Sequence, residues 1–251
     1  IYCSDGNVIK VDSISMVAPE EPEQPDPSAG IGVFSVSADK QVTFSKGNLQ
    51  YTQLTDTWSF AENQYDYLGE ANIVIDADVL ADKIDLFGWS TNTTNFGVST
   101  STGYNDYSGS FVDWGTNTIG TDIPNTWRTL TDDEWEYVVF KRPNASSLCG
   151  VAQVNGVNGL IFLPDNWTCP AGVTFKSGFH SSNGVDYYAA YQTFTAVQWS
   201  KLESAGAVFL PAASYRYGSD VRYRQYGGGY WSATEFTSGG ANYLCIYSDV
   251  A

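Results

Sequence analysis

TDDEWEYVVF, from Thr131 to Phe140, carries a helix start in its own chemistry. Thr131 is a capping residue and Glu134 stands three positions on, the spacing of a capping box. In that device the threonine hydroxyl accepts from the third amide while the acidic side chain reaches back to the cap amide. Asp132 and Asp133 then lie at the positive end of the helix dipole. Thr195 and Gln198 repeat the device ahead of Trp199 and Leu202, and Gly206 supplies the stop. Two helices can be placed this way.

Working outward, the signal changes to a period of two. Val33-Phe34-Ser35-Val36 and Val42-Thr43-Phe44, parted by Ala38-Asp39-Lys40, predict a hairpin. Asn48 to Tyr51 and Trp58 to Phe60, split by Thr55-Asp56-Thr57, predict a second pair of strands. Leu160 to Leu163 and Ala207 to Leu210 read as buried strands, each followed at once by a proline. Asp85 to Gly120 is rich in Gly, Ser, Thr and Asn and holds Trp89 and Trp114. A segment that long has to be packed or functional in a compact domain. Together these elements predict an α+β fold: two main helices, short antiparallel strands and long structured loops. Residues 1–30 stand apart. Ala18 to Gly30 holds four prolines and four acids and reads as an extended spacer, leaving 31–251 as the domain.

Composition excludes several functions. The 251 residues carry 28 acids against 12 basic residues, a formal charge of −16, which repels phosphate backbones and argues against nucleic-acid binding. Aromatic residues reach 15% and charged residues only 16%, the reverse of a disordered chain. No apolar run approaches the ~18 residues of a membrane span. The single histidine, His180, removes the usual basis for metal clusters and for Ser-His-Asp catalysis, so no metal, cofactor or catalytic residue is expected. Of the cysteines Cys3, Cys149, Cys169 and Cys245, the middle two flank one segment and form the candidate disulfide among three possible connectivities. A lipid anchor at Cys3 would follow the bulky Tyr2, which argues against it.

The most informative segment is Ala212 to Ala251. Three of the five arginines (Arg216, Arg222, Arg224) and seven of the 17 tyrosines lie there. Tyrosine and arginine give large contact area and bidentate hydrogen bonding for little lost entropy, which is why recognition surfaces select them. In Tyr243-Leu244-Cys245-Ile246-Tyr247 the alternation sends Leu244 and Ile246 to one face and a Tyr-Cys-Tyr row to the other.

WRTLTDDEWEYV (Trp127 to Val138) resembles the signature that opens the first helix of many C-type lectin-like folds. With GAVFLPAASYRYG (Gly206 to Gly218) and GGYWSATEF (Gly228 to Phe236), it resembles the variable proteins of diversity-generating retroelements in gut bacteria and their phages. Phe34 to Gly69, Asp85 to Thr91 and Val154 to Trp167 are similar to that group too, so the resemblance spans most of 31–251. It implies a C-type lectin-like fold on which mutagenic reverse transcription of adenine-rich codons alters a ligand-binding face. Matched position by position, the variable sites implied are Tyr217, Asp220, Arg222, Tyr223, Tyr226, Tyr230, Phe236, Asn242, Cys245 and Tyr247. Randomising the first two bases of an Asn codon yields each of these residue types but never Glu, which leaves Glu235 out. Trp231, Ser232 and Ala233 match the invariant part. Members of the group continue into a closing strand with a Ser-Val-Arg-like run, so the resemblance implies a domain lacking that strand or receiving it from elsewhere.

The expectation is therefore a non-enzymatic, adhesin-like or receptor-like protein, exported to the cell surface or carried on a phage particle. It would bind a protein or glycan ligand on a host or neighbouring cell. One alternative is a structural or pilus-type subunit completed by strand addition. Another is an oxidase of the formylglycine-generating kind, which shares the fold but needs a copper-binding cysteine pair near the C-terminus, where only Cys245 lies. Asp113 reads as a loop-ordering acceptor in preference to a calcium ligand, since calcium needs six to eight oxygens.

Overall fold

The computed structural model describes residues 32–73, 81–90, 111–178, 191–223, 225–237 and 240–247. The acidic spacer, His180 and Arg224 lie outside them. At the centre is a four-stranded sheet of β6 (Cys149–Val154), β7 (Val157–Phe162), β8 (Thr193–Phe194) and β9 (Val208–Pro211), in the order β8-β6-β7-β9. β6 and β7 are joined by Asn155-Gly156, both with positive φ (47° and 82°), the backbone of a tight hairpin that Asn-Gly favours. Pro211 is tolerated because β9 is a sheet edge.

Both faces of this sheet are buried, which explains its nearly continuous apolar strands. Cys149, Val151, Leu160, Phe162, Val208 and Leu210 face one core, covered by Phe34, Val36, Trp135, Val138 and Ile246. Ala152, Val154, Ile161 and Phe209 face a second core, covered by Trp199 and Leu202. A third, aromatic core gathers Tyr51, Trp58, Trp89 and Trp114 under the sheet β4-β3-β5, formed by β3 (Leu49–Thr52), β4 (Thr57–Phe60) and β5 (Lys83–Ile84). The first expected hairpin forms as β1 (Phe34–Ser35) with β2 (Gln41–Val42), and the second as β3 with β4.

Both capping boxes form. The Thr131 hydroxyl accepts from Glu134 N and the Glu134 carboxylate from Thr131 N; Thr195 and Gln198 do the same. The α+β architecture built on two main helices is nevertheless overturned. Among the described residues, 13 strands in five sheets dominate, and the α-helices are short: α1 (Asp132–Glu136) has five residues and α2 (Ala196–Ser204) nine. A cap sets where a helix starts and says nothing of where it ends. After α1 the backbone widens into a π turn, Tyr137–Lys141, closed by Arg142 N donating to Tyr137 O. The Arg142 guanidinium turns inward, donating to Val138 O, Leu148 O and the Asp165 carboxylate, and Pro143 cannot continue the ladder.

The expected disulfide is corrected as well. Cys149 is buried in β6 and Cys169 is exposed, and both are free thiols. Alternation along β6 points Cys149 into the first core, where its sulfur lies 3.6 Å from Ala145 O.

Candidate functional site

Beyond β9 the chain makes two hairpins. Ser214 turns out of the sheet with φ 79°, its amide donating to Gly227 O. β10 (Tyr215–Tyr217) and β11 (Asp220–Arg222) follow, joined by Gly218-Ser219. Gly218 has φ 61°, the value that a two-residue hairpin turn with glycine first requires. Val221 is buried, so alternation sends Tyr215, Tyr217, Asp220 and Arg222 to the opposite face. The Arg222 guanidinium lies 4.1 Å over the Tyr217 ring and 3.6 Å from the Asp220 carboxylate. Tyr215 stacks on Tyr223, ring centroids 5.4 Å apart. Tyr223 holds φ 57°, a left-handed backbone that a bulky side chain rarely adopts.

The second hairpin is β12 (Gly227–Thr237) with β13 (Gly240–Tyr247). Tyr230 stands opposite Leu244, and Trp231 opposite Tyr243. Leu244 and Ile246 pack on the first core, as the alternation requires, while Tyr243 and Cys245 are exposed. A Cβ on Gly229 would sit 3.3 Å from the Tyr243 ring, so glycine leaves that ring room to lie against the sheet. Burial, with Cys245 and Tyr215 nearby, raises the Tyr243 hydroxyl above the ordinary phenol range.

A bulge after Trp231 anchors this hairpin. Trp89 Nε1 donates to Ser232 O at 2.8 Å, Trp135 Nε1 to Trp231 O at 3.2 Å, and Ala233 N to Leu130 O at 2.8 Å. Trp231 Nε1 donates in turn to Phe87 O at 2.9 Å. The segment Trp231-Ser232-Ala233 is thus held largely by indole-to-backbone and backbone–backbone bonds, and Ser232 is fully buried.

Between the hairpins and the β1–β2 and 113–130 regions lies a cleft of about 1090 Å³. Its walls include Phe44, Trp127, Trp135, Tyr215, Tyr217 and Tyr243. Its ionic groups are largely committed to structure. Arg128 makes two bonds to Glu134, which also accepts from Lys40. Burial would raise the Glu134 carboxyl, but hydrogen bonds from Arg128, Lys40 and Thr131 outweigh it and hold it at about 2. Burial raises Asp85 above the ordinary carboxylate range although Leu68 N and Asn72 Nδ2 donate to it. Asp113 accepts from Gly115 N and Thr129 N, ordering its loop.

Of the residues singled out by the resemblance, Tyr217, Asp220, Arg222, Tyr223, Phe236 and Cys245 are exposed, and Tyr226 and Asn242 are half-buried. Tyr247 stands opposite Gly227, its side chain outside the described set. Tyr230 is half-buried and lines the cleft. It packs on the first core and its hydroxyl donates to Pro211 O at 2.8 Å, with burial pushing that hydroxyl well above the phenol range. The cleft also gathers residues outside the matched variable positions: Phe44, Trp127, Ser214 and Arg216. Nothing local marks Phe44 and Trp127, whereas Ser214 and Arg216 could have been suspected from their place beside the variable positions. Cys149 and Cys245 lie in different sheets. Compared with family models, curated proteins and solved structures, the chain matches none.

Proposed function

We propose that this chain is a ligand-binding protein rather than an enzyme, displayed on a cell surface or phage particle. It grips a protein or glycan ligand on a host or neighbouring cell with exchangeable side chains of β10 to β13, in the manner of the variable proteins it resembles. One observation carries the reading: Tyr217, Asp220, Arg222, Tyr223, Phe236 and Cys245 point outward, while Val221, Ser232 and Ile246 beneath them are buried. The bonds that hold the bulge come from Trp89, Trp135 and the backbone, so they survive any exchange at the outer positions. Exposed substitutions away from such anchors alter stability by only about 0.5 kcal/mol.

The test is a displayed library randomised at those six positions and selected on arrays of proteins and glycans. Most members are expected to melt within a few degrees of the parent, and the parent's own binding should fall at least tenfold in a Tyr217→Ala, Arg222→Ala double variant. A library whose members mostly fail to fold refutes the idea of a frame indifferent to its surface residues.

A further inference from the structure

The β10–β11 hairpin carries Tyr217, Asp220 and Arg222 yet forms a sheet of only two strands. A lone hairpin of that kind is marginal in water. Among the described residues, its ladder connection to the neighbouring hairpin is one bridge, Ser214 with Gly228. A further contact has to fix where this part of the rim sits. Val221 is buried beneath it, and the 3-10 turn Gly69–Asn72 lies beside β11.

That turn is pinned by one side chain. Asn72 is fully buried and uses both of its polar atoms twice. Its Oδ1 accepts from Asp85 N at 2.8 Å and from Leu86 N at 3.0 Å, and its Nδ2 donates to Gly69 O at 3.0 Å and to the Asp85 carboxylate at 2.7 Å. The other Asp85 oxygen accepts from Leu68 N at 2.8 Å. The turn is thus clasped to the head of the segment Asp85-Leu86-Phe87-Gly88-Trp89. The remainder of that segment holds the other hairpin, since Phe87 O accepts from Trp231 Nε1 and Trp89 Nε1 donates to Ser232 O. Burial raises the Asp85 carboxyl above the ordinary carboxylate range, so the ionised group costs stability where it stands. Packed apolar residues would avoid that cost, but hydrogen bonds fix direction as well as contact.

We infer that Asn72 and Asp85 are positioning residues of the binding face: with Phe87 and Trp89 they form a bracket that holds the β10–β11 hairpin at a set place relative to β12–β13. This rests on the binding-face reading above and deepens it by adding residues, outside the matched positions, that set the geometry of the rim. Exchange of Tyr217, Asp220 or Arg222 leaves every bond of the bracket in place.

The experiment reads orientation directly, from residual dipolar couplings of backbone amides in the intact, isotope-labelled chain. In the parent, couplings from β10 and β11 should fit the same alignment as those of the central sheet. Asp85→Asn keeps the shape of the side chain but sets an N–H against Asn72 Nδ2 or leaves Leu68 N without its acceptor. Asn72 cannot flip to repair this, because its Oδ1 is taken by two backbone amides. The β10–β11 couplings should then leave the common fit while those of β6 and β7 keep it. The amides that pair β10 with β11 should exchange with deuterium about tenfold faster, the loss of one hydrogen bond to a charged group. Trp231→Phe cuts the bracket at Phe87 O and should produce the same misfit, so the test does not hang on one variant. Thr195→Ala removes the cap of α2, on the opposite face of the central sheet, and serves as the control. It should melt lower with β10 and β11 still in the common fit. If Asp85→Asn and Trp231→Phe behave as that control does, these residues support the fold without placing the rim, and the inference is overturned. No ligand enters the measurement, so its failure would leave the binding-face reading intact, and arrays that yield no binder would remove that reading while leaving the bracket.

Discussion

Tyr230 separates a frame residue from a surface residue at a position where codon arithmetic treats both alike. Its ring lies on the core side of β12 with Leu244 and Ile246, and its hydroxyl donates to Pro211 O. Pro211 O also accepts from Ala213 N, so Tyr230→Phe removes one bond without stranding the carbonyl. The cost is then that of a net neutral hydrogen bond, about 1 kcal/mol. In a domain of this size that lowers Tm by about 2–4 °C. Tyr230→Ala also strips a half-buried ring from the edge of the core and should cost about 2–3 kcal/mol, below the range of a fully buried aromatic. Tyr217→Ala, on an exposed ring, should stay within about 0.5 kcal/mol. Urea unfolding followed by tryptophan fluorescence, with calorimetry as a second probe, measures all three. If Tyr230→Ala unfolds at the parent's midpoint, the ring is not part of the core and the boundary drawn between frame and surface is wrong.

Three further outcomes are expected. Gly159→Ala would place a Cβ 2.3 Å from Leu210 O and 2.5 Å from the Phe209 ring, so the variant should lose about 1–3 kcal/mol or more by forcing β7 and β9 apart, read as a lower urea midpoint. Glu134 is held at about 2 against an ordinary 4.5, so its contribution is complete above about pH 4.5 and disappears as pH falls through about 2. The stability gap between the parent and Glu134→Gln should close over that window in urea titrations; a gap independent of pH would mean that the ion pairs with Arg128 and Lys40 contribute nothing. Finally, peptide mapping after maleimide labelling of the native protein should find Cys169 and Cys245 modified and Cys149 protected until unfolding, since Cys149 is buried and its thiol is pushed up to about 11.

Features set by a few neighbouring residues were legible in the chain: both capping boxes, the first two hairpins and the inward turn of Leu244 and Ile246. Each follows from a side chain bonding its own backbone or from strand alternation, and no distant partner is needed. The length of α1 was not legible, because Arg142 is drawn inward by Leu148 O and Asp165, which local pattern cannot see. The 149–169 pairing failed for a related reason: sequence proximity says nothing of the direction in which a strand points its cysteine. The C-terminal region, read as a recognition segment rich in tyrosine and arginine, folds as four paired strands that make this a mostly-β protein.

The sequence by itself determined the starts of helices, the turn chemistry and the concentration of tyrosine and arginine near the C-terminus, because these are properties of residues a few bonds apart. Only the tertiary structure decided that Tyr230 packs against the core while Tyr217 lies on the surface, and that Phe44, Trp114, Trp127 and Ser214 wall one cleft. Those outcomes depend on which distant surfaces exclude water together, and burial belongs to the assembled chain rather than to any stretch of it.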